Sequence, residues 1–391
     1  MKRYLRGLFF AAVAAALLYA GGCSRGCEHV WGKVPGSFDR YTGICTVCGE
    51  ACTHDWNAKT GACRICKKYC EHTHGTSEDV PCGICGHTFQ VKVTEDVIGA
   101  RTEFAITPRT WDFECPQPGT IEKLEYDTDA YDDGTVYHKY VLVYLPYGYD
   151  ETDASKKYNV VYFQHANGST REIILTGRSK NVLDNMFYMS DIEPVIIVCT
   201  TFYMDDNLTL GYDVWSEANP QGFRFHREVI EDIIPAVESK YHTYTEQFDA
   251  EGLIRSRDHR AFTGFSRGGA CTWNMIHYAF EYFRWWSPMS CTVTGDAETP
   301  FTDQQAFEHL KSAAEAHPDM KYFIFAASGG DEDIPAVRGQ IRYFVSQDYF
   351  SYGKDPDQNN FFYLLSDYNH GNFAADYYYN SLQVFFTGNG T

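Results

Sequence analysis

The chain has 391 residues, 44% of them hydrophobic and 16% aromatic, enough for a buried core and for more than one domain. Its net charge of -19 excludes the basic face that nucleic-acid binding requires.

Residues 1–22 read as an export signal. Lys2, Arg3 and Arg6 are followed by an apolar run from Leu8 to Tyr19, too short to span a bilayer. Ala20-Gly21-Gly22-Cys23 then resembles the lipobox of bacterial lipoproteins. That resemblance implies acylation of Cys23 and a membrane anchor without a transmembrane helix. The expected location is an exported lipoprotein, on the cell surface or the periplasmic face.

Residues 23–87 hold ten of the fourteen cysteines, in a repeat of Cys-x-His, a spacer, then Cys-x-x-Cys. The units are Cys27, His29, Cys45 and Cys48; Cys52, His54, Cys63 and Cys66; and Cys70, His72, Cys82 and Cys85. Three thiolates and one imidazole make the ligand set of a closed tetrahedral zinc site. A disulfide framework needs no histidine at a fixed place, although an oxidising compartment favours disulfides. Trp31 and Trp56 follow their histidines at one spacing, so a small core repeats as well. A second register, with Cys45, Cys48, Cys52 and His54 in one site and Cys63, Cys66, Cys70 and His72 in another, leaves four ligands over. The repeats resemble zinc-ribbon modules, which implies structural zinc with no position open for water. Residues 88–118 read as linker and entry to the next domain.

Residues 119–391 alternate strands and helices, which implies an α/β fold with a mostly parallel central sheet. Val141, Val143 and Leu145 alternate as in a strand. Val160–Phe163, Val195–Val198, Tyr322–Phe325 and Phe361–Leu365 are short apolar runs of central strands. Val229, Ile230, Ile233, Ile234 and Val237 recur at helical spacing. Gly264-Phe265-Ser266-Arg267-Gly268 sits between an apolar strand and a helix over 273–280. There the Gly-x-Ser-x-Gly pattern makes a strained elbow that lifts a serine hydroxyl above the sheet. Ser266 is the expected nucleophile. Its partners should follow as acid, then histidine. His370 lies past the last apolar run and is the expected base. Asp331, Glu332 and Asp333 compete for the acid, with Asp333 preferred and Asp331 next. The oxyanion donors are expected to be the N–H groups of Arg267 and Ala166, with Asn167 close behind. His165 reads as a loop anchor, and Tyr203 and Trp215 as candidates to stack on a substrate ring, although aromatic residues in loops more often serve packing.

At these residues the chain resembles the feruloyl esterases of carbohydrate esterase family 1. The likeness runs from about Gly119 to Phe386. It rests on Val143–Asp150, Ile234–Tyr241, Asp258–Arg260, Gly264–Gly269 and Tyr322–Ala327. It implies an α/β-hydrolase fold, a Ser-His-Asp triad and hydrolysis of feruloyl or acetyl esters on plant xylan, with no catalytic cofactor. Arg267 stands where the family usually has Met, and Gly371 where a tryptophan commonly follows the histidine. Two other functions share these features: an esterase for a siderophore or small acyl ester, and a non-catalytic glycan-binding lipoprotein.

Overall fold

The computed structural model describes residues 29–33, 41–56, 63–68, 105, 107–204, 221–294, 301–329, 334–366, 370 and 374–387. The chain forms two compact units, Met1–Phe89 and Gln90–Thr391. The export signal, Cys23, Cys27 and the third repeat from Cys70 to Cys85 lie outside the described residues.

In the first unit, β1 (Trp31–Lys33) pairs antiparallel with β2 (Tyr41–Cys45). Among its described residues Cys52, Cys63 and Cys66 form a buried cluster with Trp31 and Trp56 packed against it, and Cys45 is buried as well.

The second unit is built on one eight-stranded sheet. Its strands are β3 (Thr120–Thr128), β4 (Tyr137–Leu145), β5 (Val160–Gln164), β6 (Ile196–Thr200), β7 (Arg260–Phe265), β8 (Trp285–Met289), β9 (Phe323–Gly329) and β10 (Phe361–Ser366). They lie in the order β10-β9-β8-β7-β5-β6-β4-β3. β5 to β10 are parallel, and the β3–β4 hairpin joins antiparallel through β6. This is the expected α/β-hydrolase arrangement.

The central strands are largely apolar because both faces are covered. One face presents Val160, Tyr162, Ile196, Val198, Phe262, Trp286, Ile324 and Tyr363. Over it lie α2 (Gln221–Glu228), α3 (Ile234–Lys240), α5 (Arg267–Tyr278), α6 (Asp303–Ala316) and α7 (Ile334–Ser346). The short α4 (Ala250–Arg255) precedes β7. The opposite face presents Val161, Phe163, Ile197, Ala261, Trp285 and Phe325, under α1 (Gly177–Tyr188) and α8 (Ala374–Leu382). The helix read from Val229 to Val237 is real, but its first part, Val229–Ile233, is a π turn joining α2 to α3.

The structure adds to the sequence reading in two places. β8 is not among the apolar runs read as strands, and it carries Pro288 inside it. Pairing with β9 skips Ser287 and Pro288, as the missing N–H requires. Part of the stretch read as linker and entry to the next domain packs within the second unit. Thr107 donates through its N–H and its hydroxyl to Asp376 Oδ1, at 3.0 and 2.8 Å, and Trp111 is buried.

The strand order also fixes where chemistry can occur. From β5 the chain moves outward to β6, then crosses back to β7 on the other side of β5. The carboxyl ends of β5 and β7 therefore flank a topological switch point, where such sheets open a crevice. Ala166 follows β5 and Ser266 follows β7.

Candidate active site and Cys/His clusters

Ser266 joins β7 to α5 with φ 57° and ψ -117°, a left-handed backbone that side chains rarely adopt. Its N–H donates to Met289 O at 2.9 Å, and its carbonyl accepts from Ala270 N–H at 3.0 Å. The strained turn is thus tied to β8 and to the first turn of α5. A Cβ on Gly264 would lie 2.2 Å from Gly268 O, and one on Gly268 would lie 2.1 Å from Gln164 O. Both glycines are required by close backbone approach. The second approach seats the start of α5 against the exit of β5.

His370 follows β10 and is half-buried. Its Nε2 lies 2.8 Å from Ser266 Oγ, and its ring centroid is 5.2 Å from that of Phe265. The nucleophile and base expected from the sequence, 104 residues apart, are in hydrogen-bond contact. Asp331, Glu332 and Asp333 lie between the end of β9 and the start of α7, outside the described residues.

The loop after β5 is organised from the exit of β6. His165 is fully buried, with Nδ1 2.7 Å from Ala166 O and Nε2 2.7 Å from Thr201 Oγ1. Burial lowers its pKa to about 3, against the Ala166 carbonyl that favours the charged form; Arg171 and Lys139 add to the lowering. It stays neutral with both nitrogens engaged, which removes it as a proton acceptor and agrees with the anchor reading. Tyr203 is not a stacking platform. It is only 3% exposed, and its ring lies 5.3 Å from that of His165. Its hydroxyl accepts from Gly168 N–H at 2.6 Å and donates to Asn167 Oδ1 at 2.7 Å. Only its place beside an apolar strand end hinted at this role. Trp215 lies outside the described residues.

In the first unit the ligand atoms of Cys52, His54, Cys63 and Cys66 all lie within 4.8 Å of one another, as do those of His29, Cys45 and Cys48. These groupings follow the first register. Cys52 and Cys63 sulfurs are 3.7 Å apart, Cys66 Sγ is 3.4 Å from His54 Nδ1, and Cys48 Sγ is 3.6 Å from His29 Nδ1. Metal–sulfur bonds of about 2.3 Å and metal–nitrogen bonds of about 2.0 Å in a tetrahedron give edges of about 3.5–3.8 Å. A disulfide needs sulfurs about 2.0 Å apart.

The two repeats also share their hydrogen bonds. Thr46 N–H donates to Val30 O at 2.7 Å, and Arg64 N–H to Asp55 O at 2.7 Å. Val47 and Ile65 N–H groups donate to the Cys45 and Cys63 sulfurs, both at 3.4 Å. Gly49 and Lys67 follow their units at φ 75° and 63°. His29 stacks on Trp31 as His54 stacks on Trp56, at 5.1 and 4.5 Å.

No family model matches the chain. Among curated proteins it is 32% identical over 279 residues to endo-1,4-beta-xylanase Y of Acetivibrio thermocellus, covering 70% of this chain and 24% of that protein. The chain thus spans about a quarter of that relative's length. Among solved structures it is similar to the feruloyl esterase module from Clostridium thermocellum, determined as a serine-to-alanine mutant complexed with sinapinate. Identity is 30%, coverage 74% of this chain and 96% of the module, and the TM-score 0.61. A carbohydrate esterase family 1 ferulic acid esterase from the anaerobic fungus Anaeromyces mucronatus shares the fold, at 20% identity and TM-score 0.53, covering 74% of this chain and 100% of the other.

Proposed function

Because the chain belongs to the feruloyl esterases of carbohydrate esterase family 1, carboxylic-ester hydrolases, we propose that it hydrolyses feruloyl or acetyl esters on plant xylan through an acyl-enzyme. The observation that carries this reading is the 2.8 Å contact between Ser266 Oγ and His370 Nε2 at a strained elbow on the switch-point crevice. Ser266 Oγ attacks the ester carbonyl carbon while its proton passes to His370 Nε2. Backbone N–H groups of Arg267 and of the Ala166–Asn167 loop receive the oxyanion. The sugar hydroxyl leaves with the proton from His370. Water, deprotonated by the same nitrogen, then releases the acid. Asp333, with Asp331 as the alternative, is the proposed acceptor for His370 Nδ1–H. No cofactor enters these steps.

The test is an ester panel, feruloylated arabinoxylan beside short nitrophenyl esters, run on wild type and Ser266→Ala. The expected result is turnover of the feruloylated substrate, lost by at least about 10⁴-fold in kcat in the variant. Turnover of the nitrophenyl esters alone would overturn the plant-wall substrate. Unchanged turnover in Ser266→Ala would overturn the mechanism.

The first unit is proposed to hold structural zinc, four-coordinate at Cys52, His54, Cys63 and Cys66 and likewise at His29, Cys45, Cys48 and Cys27. Ligand spacing and the shared backbone framework support this. Such a site offers no open position for substrate or water. Export with acylation of Cys23 completes the proposal, supported by the basic and apolar segments that precede it. Fatty-acid labelling that persists in Cys23→Ala would remove the anchor.

A further inference from the structure

The exit of β6 builds a hydrogen-bonded frame around the loop that faces the nucleophile, and the direction of each bond in it can be assigned. Tyr203 N–H donates to Thr201 Oγ1 at 3.2 Å. The hydroxyl's own hydrogen is therefore available for the 2.7 Å contact with His165 Nε2, which accepts it. An unprotonated Nε2 leaves the ring proton of neutral His165 on Nδ1, where it donates to Ala166 O at 2.7 Å. Ser169 N–H donates to the same carbonyl at 3.2 Å. That carbonyl belongs to the peptide joining Ala166 to Asn167. In a trans peptide the N–H points opposite to the C=O. Drawing the carbonyl in toward buried His165 turns the Asn167 N–H the other way, and Asn167 itself is exposed. The far end of the loop is held by the Tyr203 hydroxyl, which bridges Gly168 N–H and Asn167 Oδ1.

Thr201 is fixed in turn. Its carbonyl accepts from Lys139 Nζ at 2.9 Å, and Lys139 is paired with Glu228 at 2.7 Å, both side chains buried. Glu228 also accepts from the hydroxyls of Tyr126 and Tyr131. A buried ion pair thus anchors the residue whose hydroxyl donates to His165 Nε2.

The geometry points to Thr201 and Tyr203 as positioning residues for the oxyanion side of the active site: through His165 and Asn167 they fix the Ala166–Asn167 peptide so that the Asn167 N–H serves as the second oxyanion donor beside Arg267 N–H. Neither side chain reaches the substrate in this assignment. It rests on the esterase reading above and adds which peptide is aimed and by what. Valine at 201 keeps the shape of threonine and removes the hydroxyl. His165 Nε2 then loses its donor, and the ring is held at Ala166 O by Nδ1–H alone, no longer fixed from both sides.

The experiment compares wild type, Thr201→Ser, Thr201→Val and Tyr203→Phe on one ester. It records kcat, KM, thermal midpoint and affinity for a boronic-acid mimic of the tetrahedral intermediate. The expected result is a fall of about 10- to 100-fold in kcat for Thr201→Val and Tyr203→Phe. Mimic affinity should fall in parallel, with KM within about twofold, while Thr201→Ser stays near wild type. Wild-type kcat in both Thr201→Val and Tyr203→Phe overturns the assignment. So does a loss in Thr201→Ser equal to that in Thr201→Val, or a loss of kcat with mimic affinity unchanged. An inactive wild type defeats the esterase reading instead, so the two failures are distinguishable.

Discussion

The two units of this chain solve the problem of holding a fold in opposite ways. The hydrolase unit buries apolar side chains on both faces of an eight-stranded sheet, with tryptophans 273, 285 and 286 among its largest buried groups. The described part of the Cys/His unit buries four cysteines, Cys45, Cys52, Cys63 and Cys66, two tryptophans pack beside the last three, and Val30, Ile44, Val47 and Ile65 remain largely exposed. At about 25 cal/mol per Å² of apolar surface removed from water, the first arrangement supports itself. The second cannot repay the chain entropy of its ordered residues without a cross-link or an ion. The comparison teaches that the chemistry at the crevice and the fold of the repeats rest on separate forces and should fail separately.

The sharpest way to break that comparison is to remove metal. Structural zinc typically contributes about 10–16 kcal/mol of apparent binding free energy to such modules, so chelation should unfold the repeats outright. The expected readouts are bound zinc lost on treatment with a strong chelator and a shift in the emission of Trp31 and Trp56, with esterase turnover unchanged. Loss of turnover in step with zinc would show that the units are not independent. Full order after quantitative removal would show that metal does not hold the repeats.

A smaller effect tests the hydrolase unit on its own terms. Lys139 and Glu228 form an ion pair that lies inside an apolar core. Lys139→Met leaves the buried Glu228 carboxylate without its ammonium partner, although the Tyr126 and Tyr131 hydroxyls still donate to it. The expected cost is about 3–5 kcal/mol in chemical denaturation, against near neutrality for the double variant Lys139→Met with Glu228→Gln. Equal losses in both variants would show that shape rather than charge is at stake.

How much of this was legible before the fold was known follows from the range of each signal. Val160–Phe163 and Val195–Val198 announce buried strands through local composition. The Gly264–Gly268 elbow announces itself because each glycine is needed within five residues of the serine. His370 could be placed by its position after the last apolar run. β8 stayed hidden because Pro288 argues against a strand, and only the skipped pairing with β9 reconciles the two. Tyr203 left two readings open, stacking on a substrate ring or packing, because an aromatic residue near a loop has no sequence mark of burial. Lys139 and Glu228 are 89 residues apart and carry no motif, so nothing short of the sheet and helix packing joins them. The three carboxylates at 331–333 share one loop, where residue type alone does not separate them.

The smallest effect is carried by protons. His165 is held neutral by burial, with a folded pKa of about 3 against about 6.5 when unfolded. The folded unit therefore binds fewer protons than the unfolded chain between these values. This contribution to stability is complete above about pH 6.5 and is lost progressively as pH falls toward 3. His309, lowered to about 4 by burial first and by the His277 charge second, acts in the same direction. Between pH 6.5 and 5 a single fully shifted histidine removes at most about 2 kcal/mol. Urea midpoints at pH 5 and pH 7 should converge in His165→Asn, which cannot titrate, relative to wild type. The slope with pH is the quantity compared, because the substitution also disturbs the loop and lowers both midpoints. An unchanged slope in the variant would mean that His165 is charged in the folded protein. Protonation would add a hydrogen at His165 Nε2, the atom that accepts from the Thr201 hydroxyl, so this pH dependence and the frame behind the Ala166–Asn167 peptide meet at one nitrogen.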